Sequence, residues 1–182
     1  MKQLMIVIDI QQEYIAEGRP FYIKGIAPSL KNAKSLIEAA REKQIPVWHI
    51  KHYRDGGDIF AQESAFSDFI PGFEPAAGEK TFIKNRYSCF SSPAFAEQLN
   101  QMQPEEIVVI GYGSSMCCLC TIIDGIHRGF KFTLIEDATA SRSFPYANEN
   151  EMHRAAIQIL RQYANIVNTK ELMNKLSSHT TA

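Results

Sequence analysis

The chain has 182 residues, of which 45% are hydrophobic and 21% charged, and its formal net charge at pH 7 is −1. This length and composition are typical of one globular domain, and they exclude a membrane protein because no window holds the roughly 20 apolar residues that cross a bilayer. The acidic and basic residues are scattered, which excludes a basic face for nucleic acid and leaves a small molecule or a second copy of the chain as the expected partner.

The first predicted strand is the apolar run LMIVIDI at 4–10. One lysine precedes this run, but Asp9 and Glu13 follow it where a signal peptide would need small residues for cleavage. The pattern therefore indicates a strand rather than a leader, and we expect a cytoplasmic protein.

Helical and strand patterns then alternate along the chain. A helix is predicted over 28–44, with an apolar stripe and Ser29 as its N-cap, and another over 147–164, with Met152, Ala156, Ile159, Leu160 and Tyr163 among its buried residues. Further strands are predicted at 46–50, 81–84, 106–112 and 132–138, further helices at 93–102 and 116–129, and a last strand and short helix within 166–176. This alternation predicts a three-layer α/β/α, Rossmann-like domain over residues 1–182, with a mainly parallel six-stranded sheet.

Parallel sheets bind ligands beyond the carboxyl ends of their strands, so residues that close the predicted strands are candidate site residues. Asp9 and Lys84 close two strands, and Cys117 follows a third at the start of a helix. Taken singly, each residue has an alternative without chemistry. Asp9 also suits a turn or helix cap, Lys84 a position facing solvent, and Cys117 packing in the core. Together they place an acid, a base and a thiol at one crevice, where the helix start favours a thiolate and a depressed Cys117 pKa.

Three of the four cysteines lie in GYGSSMCCLC at 111–120, and several chemistries compete for them. Adjacent Cys117 and Cys118 pair poorly in a disulfide, whereas Cys117 and Cys120 form a C-x-x-C pair typical of redox or zinc sites. A zinc ion would need further ligands, and His49 and His52 point to opposite faces if their strand continues between them.

Several segments together carry a resemblance that spans nearly the whole chain. They are LMIVIDIQQEY, IPVWHIKH, FIKNRYSCF, VVIGYGSSMCCLCTIIDGIHRGF and IEDATASR, and they resemble the isochorismatase-like cysteine hydrolases in order and spacing. The resemblance implies an Asp-Lys-Cys triad formed by Asp9, Lys84 and Cys117, with Cys117 as the nucleophile. It also implies a cis peptide between Tyr112 and Gly113, and an oxyanion hole from the N–H groups of Gly113 and Cys117.

The implied activity is hydrolysis of a small amide through a thioester, in which Asp9 takes the thiol proton and Lys84 stabilises negative charge. Metal-binding nicotinamidases of this superfamily carry an aspartate two residues before a histidine where this chain has Val47 and His49. We therefore expect no metal and no cofactor, and activity that survives EDTA. Nicotinamidase- or isochorismatase-type activity, a C-x-x-C redox protein and a non-catalytic binding protein remain alternatives.

Aromatic and polar residues near the triad motifs are candidates for substrate binding, although each also suits the core or the rim of the crevice. They are Tyr14, His52, Tyr87, Phe90 and Tyr112. Members of the superfamily commonly form dimers or tetramers, so we expect a homodimer or homotetramer. The apolar helix with Ile122, Ile123 and Ile126 is the candidate interface.

Overall fold

The computed structural model describes residues 2–178. Within them, six strands form one sheet: β1 (Gln3–Ile8), β2 (Val47–His52), β3 (Lys80–Lys84), β4 (Glu106–Tyr112), β5 (Phe132–Ala140) and β6 (Asn165–Val167). The α-helices are α1 (Ala27–Glu42), α2 (Pro93–Met102), α3 (Leu119–His127), α4 (Glu149–Leu160) and α5 (Thr169–Ser178). No helix among these residues is long and apolar enough to cross a membrane.

The strand order is β3-β2-β1-β4-β5-β6, and every neighbouring pair is parallel. The chain first builds outward from β1 through β2 to β3, and then crosses to the other side of β1 to begin β4. The carboxyl ends of β1 and β4 thus flank the point where the direction of winding reverses, which is where such sheets bind ligands. The predicted α/β architecture is confirmed, and the sheet is parallel throughout.

Alternate residues of the central strands face two separate cores, which makes the sheet the middle of three layers. In β1, Met5 and Val7 pack in the core that holds residues of α1 and α5. Leu4, Ile6 and Ile8 pack in the second core, with residues of α2, α3 and α4. Because both faces of β1 are buried, its residues from Leu4 to Ile8 are all apolar.

The predicted N-cap at Ser29 is wrong, because α1 already begins at Ala27. Its N-cap is Ile26, and Pro28 occupies the first turn. Ser29 lies inside the helix, where its hydroxyl donates to the Ile26 carbonyl at 2.8 Å and lies 2.9 Å from the Tyr112 hydroxyl. The serine therefore ties α1 to the end of β4.

The predicted buried stripe of α4 is also partly wrong. The helix buries Ala156, Ile157 and Leu160, and leaves Ile159 48% exposed. Tyr163 lies beyond the end of the helix and is 40% exposed. The sequence pattern allows two apolar faces, and packing against the sheet selects the one at 156, 157 and 160.

Candidate active site

Asp9 directly follows β1 and turns its carboxylate over the end of the sheet. Its φ of 51° lies in the left-handed region, which aspartate adopts more readily than most residues. Its N–H donates to the Ile50 carbonyl at 3.0 Å, which fixes the turn against β2. Asp9 is fully buried, and its carboxylate interacts with Lys84 and with the Cys117 thiol.

Lys84, the last residue of β3, is the centre of the cluster. Its Nζ lies 2.8 Å from Asp9 Oδ2, in ion-pair range although not aligned as a hydrogen bond, and 3.3 Å from Cys117 Sγ. Because β2 separates β3 from β1, the lysine must span about two strand spacings of 4.8 Å, which a long side chain can do. Lys84 is 1% exposed, so the alternative prediction that its side chain faces solvent is wrong. Burial lowers the pKa of Lys84, but the Asp9 carboxylate outweighs burial and raises this pKa above its usual value.

Cys117 lies in a wide turn, Ser114–Cys118, that leads into α3. The Gly113 carbonyl accepts from Met116 N at 3.0 Å and from Cys118 N at 3.1 Å. Neither bond uses the N–H of Gly113 or Cys117. The peptide bond between Tyr112 and Gly113 is cis, as the resemblance implies.

Gly111 allows β4 to bring this turn against β1. Its φ is +113°, and a Cβ at this position would lie 2.0 Å from the Ile8 carbonyl oxygen. Only glycine allows so close an approach at such a φ. Since Ile8 precedes Asp9, the contact brings the thiol turn next to the carboxylate.

The expected depression of the Cys117 pKa is wrong. Burial raises the pKa of the Cys117 thiol, the Asp9 carboxylate raises it further, and Lys84 opposes both. Cys117 is only 3% exposed, so the thiolate would lose nearly all hydration. At neutral pH Cys117 is therefore a thiol beside the Asp9 carboxylate.

His52 is a second buried partner of Lys84. Its Nδ1 accepts from Lys84 Nζ at 2.9 Å, and its ring stacks parallel to Tyr87, with centroids 6.4 Å apart. Burial lowers the pKa of His52 to about 4, so the imidazole is neutral at pH 7 and accepts from the lysine. Gln11 fixes the backbone of His52 by accepting from its N–H at 2.7 Å and donating to its carbonyl at 3.0 Å.

His49 points away from this cluster, as expected for two histidines three residues apart on a strand. Its Nε2 lies 2.8 Å from Glu79 Oε2, and Glu79 also pairs with Arg41. Among residues 2–178, no group of three or more His, Cys, Asp or Glu side chains is arranged to hold a metal ion. The four cysteines are free thiols.

The comparisons with known proteins show the family of this chain. The family model of the Isochorismatase domain matches residues 3–171. This chain belongs to the isochorismatase family. It is 28% identical to the secreted isochorismatase effector Isc1 of Verticillium dahliae, over 93% of this chain and 89% of that protein. It is 24% identical to maleamate amidohydrolase of Pseudomonas putida, over 96% of this chain and 87% of the relative.

A crystal structure of a cysteine hydrolase from Pseudomonas syringae pv. phaseolicola matches the fold with a TM-score of 0.89. The two sequences are 23% identical, and the match covers 97% of this chain and 93% of the other. This isochorismatase-family chain is a hydrolase, and its amidohydrolase relative acts on a carbon–nitrogen bond other than a peptide bond.

Two of the four predicted aromatic residues lie beside the triad of the isochorismatase-family site. Tyr14 is buried, and Cys117 and Asp9 are near enough to act electrostatically on its phenol. Tyr87 is 48% exposed and forms the outer side of the crevice against His52.

The other two aromatic residues are packed in the cores. Phe90 packs against Phe95 and Phe130 in the core beside α2 and α3. Tyr112 directs its hydroxyl to Ser29 on α1. Their contact with substrate stays a prediction.

Sequence reasoning missed several residues that position the site. Gln11 bridges β1 and β2, the Ser114 hydroxyl lies 2.8 Å from His153 Nδ1, and Ser115 lies 2.5 Å from Ser141. A polar residue just after a strand or in the turn before α3 could have been predicted to position the site. This applies to Gln11, Ser114 and Ser115. His153 lies on α4 and had no such signal.

A cavity of about 740 Å³ lies among residues such as Pro46, Trp48 and Lys80, where β2 and β3 begin. The predicted triad lies at the opposite end of the sheet, because Lys84 is the last residue of β3.

Proposed function

We propose that this protein hydrolyses the carbon–nitrogen bond of a small amide through a thioester on Cys117. The observation that carries the proposal is the buried cluster in which Lys84 lies 2.8 Å from Asp9 and 3.3 Å from Cys117. The maleamate amidohydrolase relative, and the similar N-carbamoylsarcosine amidase of Arthrobacter, support amide chemistry for this chain.

In the first half-reaction, Asp9 takes the Cys117 proton as sulfur attacks the carbonyl carbon. The N–H groups of Gly113 and Cys117 donate to the oxyanion, and Lys84 stabilises the negative charge that develops at sulfur. Asp9 then gives its proton to the leaving nitrogen, which departs as ammonia or an amine. The acyl group remains on sulfur as a thioester.

In the second half-reaction, water replaces the amine. Asp9 takes a proton from the water, which attacks the thioester carbonyl, and the proton returns to the sulfur as it leaves. The products are a carboxylic acid and the free thiol. The proton balance therefore needs one carboxylate base and no external co-reactant.

The test is release of ammonia from a panel of small primary amides and N-carbamoyl compounds. Wild type should turn over at least one class, and Cys117→Ala should lose at least about 10³-fold of that rate because no other thiol takes its place. Cys118→Ala is the matched control, since Cys118 is also buried and adjacent but bonds the Gly111 carbonyl instead of Lys84. Prolonged EDTA treatment should leave the rate unchanged.

Normal turnover in Cys117→Ala with a dead Cys120→Ala variant would contradict the triad and favour the C-x-x-C redox alternative. A rate that EDTA abolishes and zinc restores would contradict the metal-free mechanism.

We also propose that the protein acts in the cytoplasm, where thiols stay reduced and Cys117 stays available. Fractionation followed by immunoblotting should find the chain with soluble cell contents. Recovery of the protein mainly from the medium, as the name of the Verticillium relative states for that protein, would contradict this proposal.

A further inference from the structure

Ser114 is the first residue of the nucleophile turn, Ser114–Cys118, and its side chain is bound from outside the turn. Ser114 is fully buried, and its hydroxyl lies 2.8 Å from Nδ1 of His153 on α4. The backbone of Glu136 on β5 forms a hydrogen bond with the same imidazole. His153 therefore connects α4, β5 and the nucleophile turn.

Gly113 immediately precedes this turn and depends on its neighbours for its orientation, because it has no side chain. Before it, the Tyr112 hydroxyl lies 2.9 Å from Ser29 on α1. After it, Ser114 is bound to His153 on α4. Each neighbour of Gly113 is thus anchored to a different helix, and the two anchors together fix the direction of the Gly113 N–H.

The protonation state of His153 suits this contact. Burial lowers the pKa of His153 from its usual value, although the carboxylate and backbone of Glu136 oppose burial, so the imidazole is neutral at pH 7. A neutral imidazole has one N–H and one acceptor nitrogen, and a carbonyl can only accept. Since Nδ1 faces Ser114, the ring proton is on Nε2, and Nδ1 accepts from the serine hydroxyl.

A cavity of about 290 Å³ adjoins the imidazole. It lies between α1, β5 and α4, and its lining includes His153, Ser29 and Ser141. Ser141 is also bonded to the turn, since its hydroxyl lies 2.5 Å from that of Ser115. Side chains that hold the nucleophile turn therefore border a space larger than an imidazole ring.

We propose that His153 is a positioning residue for the reaction at Cys117: through Ser114 it fixes Gly113, whose N–H donates to the oxyanion in the proposed mechanism. This inference rests on the proposed function for the oxyanion itself. Loss of the imidazole should leave the thiol in place and loosen the oxyanion donor. A misplacement of about 1 Å can cost about 10²-fold in rate.

The first test compares Ser114→Ala and His153→Ala with wild type in the ammonia assay. Each change should lower kcat at least about 10-fold and leave KM within about threefold, because the oxyanion develops only in the transition state. The double variant should be no slower than the slower single variant, since both changes break one contact.

Thr133→Val is the matched control for the loss of a buried hydroxyl. Thr133 also lies on a central part of the sheet and bonds a side chain of another element, Glu106 at 2.7 Å, but it is near the start of β5. Its kcat should stay at the wild-type value. A loss in Thr133→Val equal to that in Ser114→Ala would overturn the inference, because any weakened sheet contact would then have the same effect.

Chemical rescue distinguishes a positioning imidazole from a side chain that only fills space. Because the cavity adjoins His153, free imidazole should restore part of the lost kcat in His153→Ala. It should restore none in Ser114→Ala, which lacks the hydroxyl that imidazole would bind. Full activity in His153→Leu, which replaces the ring by an apolar side chain without a hydrogen bond, would overturn the inference.

Acylation by p-nitrophenyl acetate separates this inference from the proposed function, since it needs no amide substrate. The Cys117 sulfur attacks the ester carbonyl as its proton passes to Asp9, a carbon–sulfur bond forms, and the carbon–oxygen bond breaks to release p-nitrophenolate. The burst rate should fall at least about 10-fold in Ser114→Ala and His153→Ala. Alkylation of Cys117 by iodoacetamide forms no oxyanion, so its rate, followed by peptide mass spectrometry, should stay the same.

If acylation alone falls in this way while no amide is hydrolysed, the positioning role stands and the amidase proposal fails. If amides are hydrolysed and His153→Ala keeps the wild-type kcat, the amidase proposal stands and the positioning role is overturned. Equal losses in acylation and alkylation would also overturn it, because the thiol rather than the oxyanion donor would then be displaced. A wild type that neither the ester acylates nor any amide engages would overturn both.

Discussion

At the scale of single residues, the charges of Asp9, Lys84 and Cys117 bear on how the proposed mechanism activates the thiol. Lys84 and Asp9 already form a buried ion pair, so an additional thiolate would leave a net negative charge among buried side chains. Transfer of the Cys117 proton to Asp9 keeps the net charge at zero and forms a new ion pair between the thiolate and Lys84. The raised pKa of Cys117 is therefore compatible with the proposed mechanism, in which deprotonation is coupled to attack.

This protonation state changes the expected result of alkylation. Cys89, Cys117 and Cys118 are buried, whereas Cys120 is partly exposed, and burial raises the pKa of each of these thiols. Limiting iodoacetamide near pH 7 should therefore label Cys120 first and leave activity largely intact, and inactivation should follow the slower labelling of Cys117. Peptide mass spectrometry alongside rate measurement checks the order, and rapid labelling of Cys117 before Cys120 would show that its pKa is depressed after all.

His52 gives the stability of the fold a pH dependence of known sign. Its pKa in the folded chain, about 4, lies below the usual 6.5, so the unfolded chain binds more protons between these values and stability falls as the pH falls from about 6.5 to 4. One pKa unit corresponds to about 1.4 kcal/mol, so His52 contributes at most about 3 kcal/mol to this loss. Burial lowers the pKa of His49 and His153 too, and both act in the same direction.

Urea unfolding at pH 7 and pH 4.5, followed by fluorescence of the single tryptophan, measures this loss. His52→Asn keeps an acceptor for Lys84 but does not titrate, so the difference in unfolding free energy between the two pH values should shrink. Equal differences in wild type and His52→Asn would contradict the assignment.

At the scale of elements, α3 must lie very close to β5 for the nucleophile turn to reach Asp9. A Cβ on Gly125 would lie 2.3 Å from Phe132 Cζ and 3.0 Å from Phe90 Cε2. The helix therefore packs with its backbone against a phenyl ring.

Gly125→Ala should destabilise the protein, although alanine normally favours a helix over glycine by about 1 kcal/mol. Overpacking against Phe132 should cost about 1–3 kcal/mol, measured by urea unfolding at pH 7. In a Phe132→Leu background the same change should cost less, because the ring it meets is gone. A stabilising effect of Gly125→Ala in wild type would show that α3 can move away from β5 at little cost.

At the scale of the whole molecule, the expected self-association stays a prediction. The structure changes which side chains are exposed and available for it. Ile122 is fully buried in the core, whereas Ile123 and Ile126 are partly exposed beside α4, which carries the exposed Ile159. Tyr163, just beyond α4, is exposed as well. These side chains are exposed or partly exposed apolar groups on or next to two helices that contact each other, and we propose that a second copy covers them.

We expect a dimer or tetramer by size-exclusion chromatography with light scattering at micromolar concentration. Ile159→Glu combined with Tyr163→Glu should shift it toward the 20.6 kDa monomer, because a charge in an apolar interface loses its hydration. Ile83→Glu is the control, since Ile83 is an equally exposed isoleucine on the edge strand β3. A monomeric wild type would contradict the prediction.

Three features could be predicted from the sequence. They are the succession of strands and helices along the chain, a mainly parallel sheet, and the acid, lysine and cysteine at or after strand ends. These features depend on local periodicity and on the rule that parallel strands end at one edge, both of which can be read along the chain. The predicted strand at 106–112 and helix at 93–102 therefore coincide with β4 and α2.

Only the tertiary structure shows that Lys84 is buried, that burial raises the pKa of Cys117, and that Phe90 and Tyr112 face the cores. Each of these depends on desolvation and charge summed over residues far apart in sequence, or on the direction of one side chain at a strand end. Neither quantity is encoded in the spacing of residue types along the chain.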